Sequence, residues 1–122
     1  MKFKDLGLCK EILSSVNNIG YIEPTEIQKK VIPYILTGRD ILGCAQTGTG
    51  KTASFIIPLI EILNSGKSKS RMPRSLILAP TRELAIQVSE EFNKINKQLN
   101  LQMALLIGGT SFAEQQNKLL KG

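Results

Sequence analysis

Ile41-Leu42-Gly43-Cys44-Ala45 runs directly into Gln46-Thr47-Gly48-Thr49-Gly50-Lys51-Thr52, and apolar residues at helical spacing continue from Lys51 to Leu63. A short apolar run, a Gly/Thr loop and a helix in that order form the setting a phosphate-binding loop requires. Main-chain N–H groups at the start of a helix point into one concavity, and the helix dipole adds positive potential there. Gly48 and Gly50 permit backbone angles closed to other residues and leave room for oxygens to approach. Lys51 sets a cation against the β- and γ-phosphates, and Thr52 offers a hydroxyl to Mg²⁺. Ala45 stands where the usual pattern begins with glycine. A loop of this kind indicates nucleoside triphosphate chemistry without saying which.

Outward from this loop, helix and strand patterns alternate. Leu8, Ile12, Leu13 and Val16 recur at helical spacing, and Gly20 supplies a stop. A second helix is predicted from near Thr25 to Leu36, bent by Pro33. After the loop and its helix, a polar stretch from Asn64 to Pro73 precedes a second apolar run, Ser75-Leu76-Ile77-Leu78-Ala79. Thr81 is the expected N-cap of a helix reaching about Ile95. Met103-Ala104-Leu105-Leu106-Ile107 is a third apolar run, broken by Gly108-Gly109. Ser111-Phe112-Ala113-Glu114 then opens a last helix. Apolar runs without alternation predict buried parallel strands covered on both faces, hence an α/β fold. The expected organisation is one incomplete domain, with a helical region over 1–38 and the sheet-forming part over 39–122.

Bulk properties exclude several classes. No apolar run reaches the ~18 residues of a membrane span, and no signal peptide is evident, so a cytoplasmic location is expected. Two cysteines, Cys9 and Cys44, are too few for a disulfide framework. With no histidine, these residues contain no His-based triad and no His-ligated zinc site. Sixteen Lys and Arg against ten Asp and Glu give +6, which favours a polyanionic partner. The densest basic run, Lys67-Ser68-Lys69-Ser70-Arg71, reads as a solvated loop.

Four segments in order resemble the DEAD-box ATP-dependent RNA helicases. Gly20-Tyr21-Ile22-Glu23-Pro24-Thr25-Glu26-Ile27-Gln28 resembles their Q motif, and Phe3 lies 17 residues before Gly20, where the family keeps an isolated aromatic. The loop from Ala45 to Thr52 corresponds to motif I, Pro80-Thr81-Arg82-Glu83-Leu84 to motif Ia, and Gly108-Gly109 to the GG doublet. The run before motif Ia resembles the bacterial RhlE-like branch. The resemblance implies a P-loop NTPase (RecA-like) parallel sheet flanked by helices, with 1–38 as the Q-motif region. It implies ATP and Mg²⁺ as ligands, RNA as partner, and a second RecA-like domain elsewhere in the intact protein. By resemblance, Tyr21, the Glu23 carbonyl, Gln28 and Phe3 serve the adenine. Ala45, Gln46, Thr47, Gly48, Thr49, Gly50, Lys51 and Thr52 take the phosphates, with Lys51 and Thr52 catalytic and Thr52 on the metal. Pro80, Thr81, Arg82, Gly108 and Gly109 touch RNA.

The same residues have plainer readings. An amide such as that of Gln28 donates to and accepts from adenine's N6/N7 edge at once, but Thr25-x-x-Gln28 is also a capping box. Tyr21 can stack on a base or fill the core. Thr81 can be a cap alone, and Gly108-Gly109 a plain strand terminator. A different P-loop ATPase or translocase and a non-catalytic RNA-binding module are the rival functions. The 122 residues hold no Asp-Glu-Ala-Asp tetrapeptide and no Ser-Ala-Thr motif. This chain alone is therefore expected not to hydrolyse ATP, and the open edges of a three-stranded, incomplete sheet are expected to leave nucleotide binding weak.

Overall fold

A computed structural model describes residues 1–46, 48, 50–66, 72–109 and 111–120. The predicted loop at 67–71 and the loop threonines Thr47 and Thr49 lie outside the described residues. Five α-helices are present among those described: α1 (Lys10–Ile19), α2 (Glu26–Leu36), α3 (Lys51–Ser65), α4 (Arg82–Ile95) and α5 (Phe112–Leu120). Single 3-10 turns precede α1 at Phe3–Asp5 and extend α4 at Asn96–Gln98.

Local chemistry sets most of these limits. Gly20 ends α1 at φ 100°, a left-handed conformation that disfavours a Cβ. Thr25 caps α2 by accepting from the Gln28 N–H, while Gln28 Oε1 accepts from the Thr25 N–H, which closes the predicted capping box. Thr81 accepts from the Leu84 N–H at 3.1 Å and starts α4. Ser111 does the same for Glu114 and starts α5. Pro33 and Pro58 both sit inside helices. At the far end of α3, Arg74 donates to the Leu63 carbonyl at 3.0 Å, a cation on the negative end of the helix dipole.

The core is made by helix faces. Ile12 and Val16 of α1, Ile32 of α2, Ile56, Ile57 and Ile60 of α3, and Phe92 and Ile95 of α4 meet in one buried cluster with Phe3, Leu6 and Leu8. α3 packs most extensively on α2, and α4 closes the cluster against α1 and α3. α3 is thus gripped on two sides, with Ile56, Ile57 and Ile60 fully buried.

The three predicted strands depart from expectation. Residues 41–45, 75–79 and 103–107 take no regular secondary structure, and no strand pairing occurs among the described residues. They are not buried on both faces either: Leu42 is 94% exposed and Leu78 84%. A strand exists only where a second backbone segment takes its N–H and C=O groups in register, and no such pairing is present among the described residues. The inner side of the first run is nevertheless in place, since a Cβ on Gly43 would meet Ile27 and Val31 of α2 at 3.9 Å. Met103 likewise leans on the core cluster.

Candidate functional site

The segment from residue 45 to the first turn of α3 holds the strongest group of predicted residues. Gly50 is the N-cap of α3 at φ 79°, and Gly48 lies at φ 86°. With the cap in that conformation, the first N–H groups of α3, from Lys51 onward, have no partner within their own helix. The Lys51 side chain turns back over the loop, and its Nζ donates to the Ala45 carbonyl at 3.0 Å. Among the described residues the amine, on an exposed side chain, is held by this one oxygen, which an anion could replace. Thr52 sits in the first turn, half-buried.

Gln28 joins this group from another part of the chain. Its side chain is only 4% exposed. Nε2 donates to the Gly50 carbonyl at 3.2 Å, while Oε1 is held by the Thr25 N–H at 3.0 Å. Both ends of the amide are thus engaged with the protein, and the capping box is not its sole role. Each end keeps one further hydrogen-bonding position, because an amide carries two donors and two acceptor lone pairs. Glu23 is exposed just ahead of the buried Pro24.

The aromatic residues are placed differently. Phe3 is 5% exposed, inside the core cluster, so it offers a ligand little surface. Tyr21 packs against the same cluster, and its hydroxyl donates to Glu91 of α4. Burial first, then the Glu91 carboxylate, pushes the Tyr21 phenol well above the ordinary tyrosine range. The hydrogen bond of Gln28 leads to the phosphate loop and that of Tyr21 leads to α4. The Tyr21 ring, expected from the sequence to stack on a base or to fill the core, packs against the core cluster.

Pro80, Thr81 and Arg82 lie at the exposed start of α4. Arg82 reaches the glycine doublet: a Cβ on Gly109 would lie 3.1 Å from its Nη1 and 3.7 Å from its Cζ. Gly109 adopts φ 85°. Two segments separated by about a quarter of the chain therefore meet, placing a cation beside exposed main chain, the combination that suits a backbone phosphate.

Residues with these links were not all foreseen. Glu91 and Gln115, whose Nε2 donates to the Ile107 carbonyl at 2.9 Å, carry no local signal of such partners. A groove of about 650 Å³ between α1 and α4, lined by Ser15, Asn18, Glu90, Asn93, Lys94 and Lys97 among others, contains none of the predicted site residues. No cluster of acidic, cysteine or histidine side chains among the described residues is arranged to hold a metal.

Comparison with protein families matches residues 25–122 to DEAD/DEAH box helicases. The chain belongs to that family. It is 45% identical over its whole length to the ATP-dependent RNA helicase DeaD of Buchnera aphidicola, of which it spans 20%. It is 46% identical, over 98% of its length, to the ATP-dependent RNA helicase CshA of Listeria monocytogenes, spanning 22% of that protein. The fold of a DEAD box protein from Methanococcus jannaschii superposes over 99% of the chain with a TM-score of 0.90 and 43% identity, the chain covering 32% of it. The RNA helicase Prp28 from Chaetomium thermophilum, solved bound to ADP, gives the same TM-score at 40% identity over 99% of the chain and 30% of Prp28. The neighbours of this DEAD-box chain are thus helicase domains of the RecA-like type, though strand pairing is absent from its described residues.

Proposed function

We propose that this chain is an ATP-binding segment of an ATP-dependent RNA helicase, one that couples ATP hydrolysis to RNA binding and local duplex opening. The observation that carries the reading is the meeting of Gln28, Gly50, Lys51 and Ala45 through two hydrogen bonds, 3.2 Å and 3.0 Å long. An amide that can read an adenine edge and an amine held over a loop of helix-start N–H groups are thereby fixed in one place. The donor set fits ATP. Gly48, Gly50 and the α3 start would hold the phosphates, Lys51 would face the β- and γ-phosphates, Thr52 would supply a hydroxyl to Mg²⁺, and Gln28 would select adenine over guanine. The ADP bound to Prp28 is in keeping with this choice of base. When bound, ATP supplies the phosphoryl group whose transfer drives the cycle.

On this reading, residues 1–38 form the Q-motif region and 39–122 part of the RecA-like domain, with Arg82 and Gly108-Gly109 meeting RNA and Phe3 and Tyr21 backing the adenine side. We assign the chain to the RhlE-like branch on the run before motif Ia, and to the cytoplasm. Among the described residues no helix is long and apolar enough to cross a membrane. These 122 residues alone bind nucleotide without turnover, because the acidic motif that would orient the attacking water is not among them. Equilibrium titration of the chain with ATP and with GTP tests the reading. Tighter binding of ATP is expected; equal affinities would point instead to another P-loop ATPase. Phosphate release stimulated by RNA from the purified 122 residues would contradict the absence of turnover.

A further inference from the structure

The Gly108-Gly109 turn is fastened from α5. Gln115 Nε2 donates to the carbonyl of Ile107, the residue just before the doublet, at 2.9 Å. The same helix is tied to the end of the turn, with the Glu114 N–H reaching Ser111 Oγ at 3.4 Å and the Gln115 N–H reaching the Ser111 carbonyl at 3.2 Å. A glycine doublet has no side chain with which to hold itself, and glycine loses more freedom on ordering than any other residue. Its geometry must be imposed from outside. The Ile107 carbonyl and the Gly108 N–H belong to one planar trans peptide and point in opposite directions. Fixing the carbonyl on Gln115 therefore fixes the direction of the Gly108 N–H, away from α5. Gly108 and Gly109 are both exposed, and the Arg82 guanidinium lies against Gly109.

We propose that Gln115 is a positioning residue for RNA binding: by gripping the Ile107 carbonyl it turns the Gly108 N–H outward, so that the glycine turn and Arg82 form one seat for an RNA phosphate. The assignment rests on the reading of this chain as an RNA-binding part of a helicase. Gln115 acts through the turn and touches no ligand itself.

Fluorescence anisotropy with a short labelled oligo-uridine tests it, alongside nucleotide affinity and thermal melting. Gln115→Leu keeps the bulk of the side chain and removes the donor; Gln115→Glu keeps its shape and turns an acceptor toward the carbonyl. Both should weaken RNA binding by about 5-fold or more, the loss expected for one well-made hydrogen bond, with ATP affinity unchanged. Arg82→Ala should weaken RNA binding as well. The double variant Arg82→Ala/Gln115→Leu should lose much less than the product of the two single effects, because both act on one seat. A global loss of fold would instead lower ATP affinity and melting temperature together with RNA binding. RNA binding by either Gln115 variant equal to wild type, a fully multiplicative double variant, or a parallel loss of ATP affinity and melting temperature would each overturn the proposal. A wild-type protein that binds ATP but no RNA would overturn both this assignment and the RNA-binding reading beneath it.

Discussion

Gln28 and Gly50 are in direct register: the amide nitrogen of one donates to the carbonyl of the other at 3.2 Å, and a Cβ on Gly50 would fall 2.4 Å from that same nitrogen. The start of α2 and the start of α3 are locked together at the one point where a side chain on the glycine has no room. Gly50→Ala should therefore displace Gln28 as well as strain the backbone at φ 79°. Gly20 supplies the control, because it has φ 100° and nothing within 4 Å of its Cβ position. Both alanines should cost about 1–2 kcal/mol from the left-handed backbone. Gly50→Ala alone should also abolish measurable nucleotide binding. Thermal melts paired with nucleotide titrations check this; nucleotide binding unaltered by Gly50→Ala would show that the lock has no part in the site.

Tyr21 gives a pH signature. Burial and the Glu91 carboxylate raise its phenol above the ordinary value of about 10. The folded protein then holds the phenolic proton more tightly than the unfolded chain does. The resulting stabilisation is complete below the unfolded value and is lost as pH rises from there through the folded one. Tyr21→Phe removes both proton and slope, so its melting temperature should fall less steeply above about pH 10 than that of wild type. Near neutral pH the variant should lose about 1 kcal/mol with its hydrogen bond. Parallel curves across the alkaline range would refute the assignment.

The uncovered apolar runs separate surface from core. Leu42 and Leu78 are 94% and 84% exposed, whereas Ile57 is fully buried. In the 122-residue chain, Leu42→Ser and Leu78→Ser should change stability by no more than about 0.5 kcal/mol and raise solubility by reducing exposed apolar area. Ile57→Ala should cost about 2–5 kcal/mol. Denaturant unfolding and sedimentation of the variants measure both effects. A large loss of stability from either serine variant would mean that these runs are packed.

What the chain's local chemistry states, the sequence reading recovers. Thr25, Thr81 and Ser111 begin helices because their oxygens reach N–H groups three residues on, and Gly20 ends one because it tolerates positive φ. The contact of Lys51 with Ala45 across the Gly50 cap is local in the same way, since the three residues are near neighbours in the chain. What fails is whatever depends on distant partners. The apolar runs at 41–45, 75–79 and 103–107 carry the composition of strands, but pairing needs a second chain segment that composition cannot supply. The Tyr21–Glu91 hydrogen bond spans 70 positions and Gln28–Gly50 spans 22. Neither distance leaves a periodic trace, so the double duty of Gln28 and the α4 partner of Tyr21 appear only in three dimensions.

Lys51, held over the loop by the Ala45 carbonyl, is expected to exchange that oxygen for those of a triphosphate. Isothermal titration of Mg²⁺-ATP into wild type and Lys51→Ala tests it most directly, with oligo-uridine binding measured on the same samples. Lys51→Ala should lose ATP affinity by roughly 10- to 100-fold, the value of a hydrogen-bonded charge pair, with RNA binding retained. Equal ATP affinity for the two proteins would contradict it.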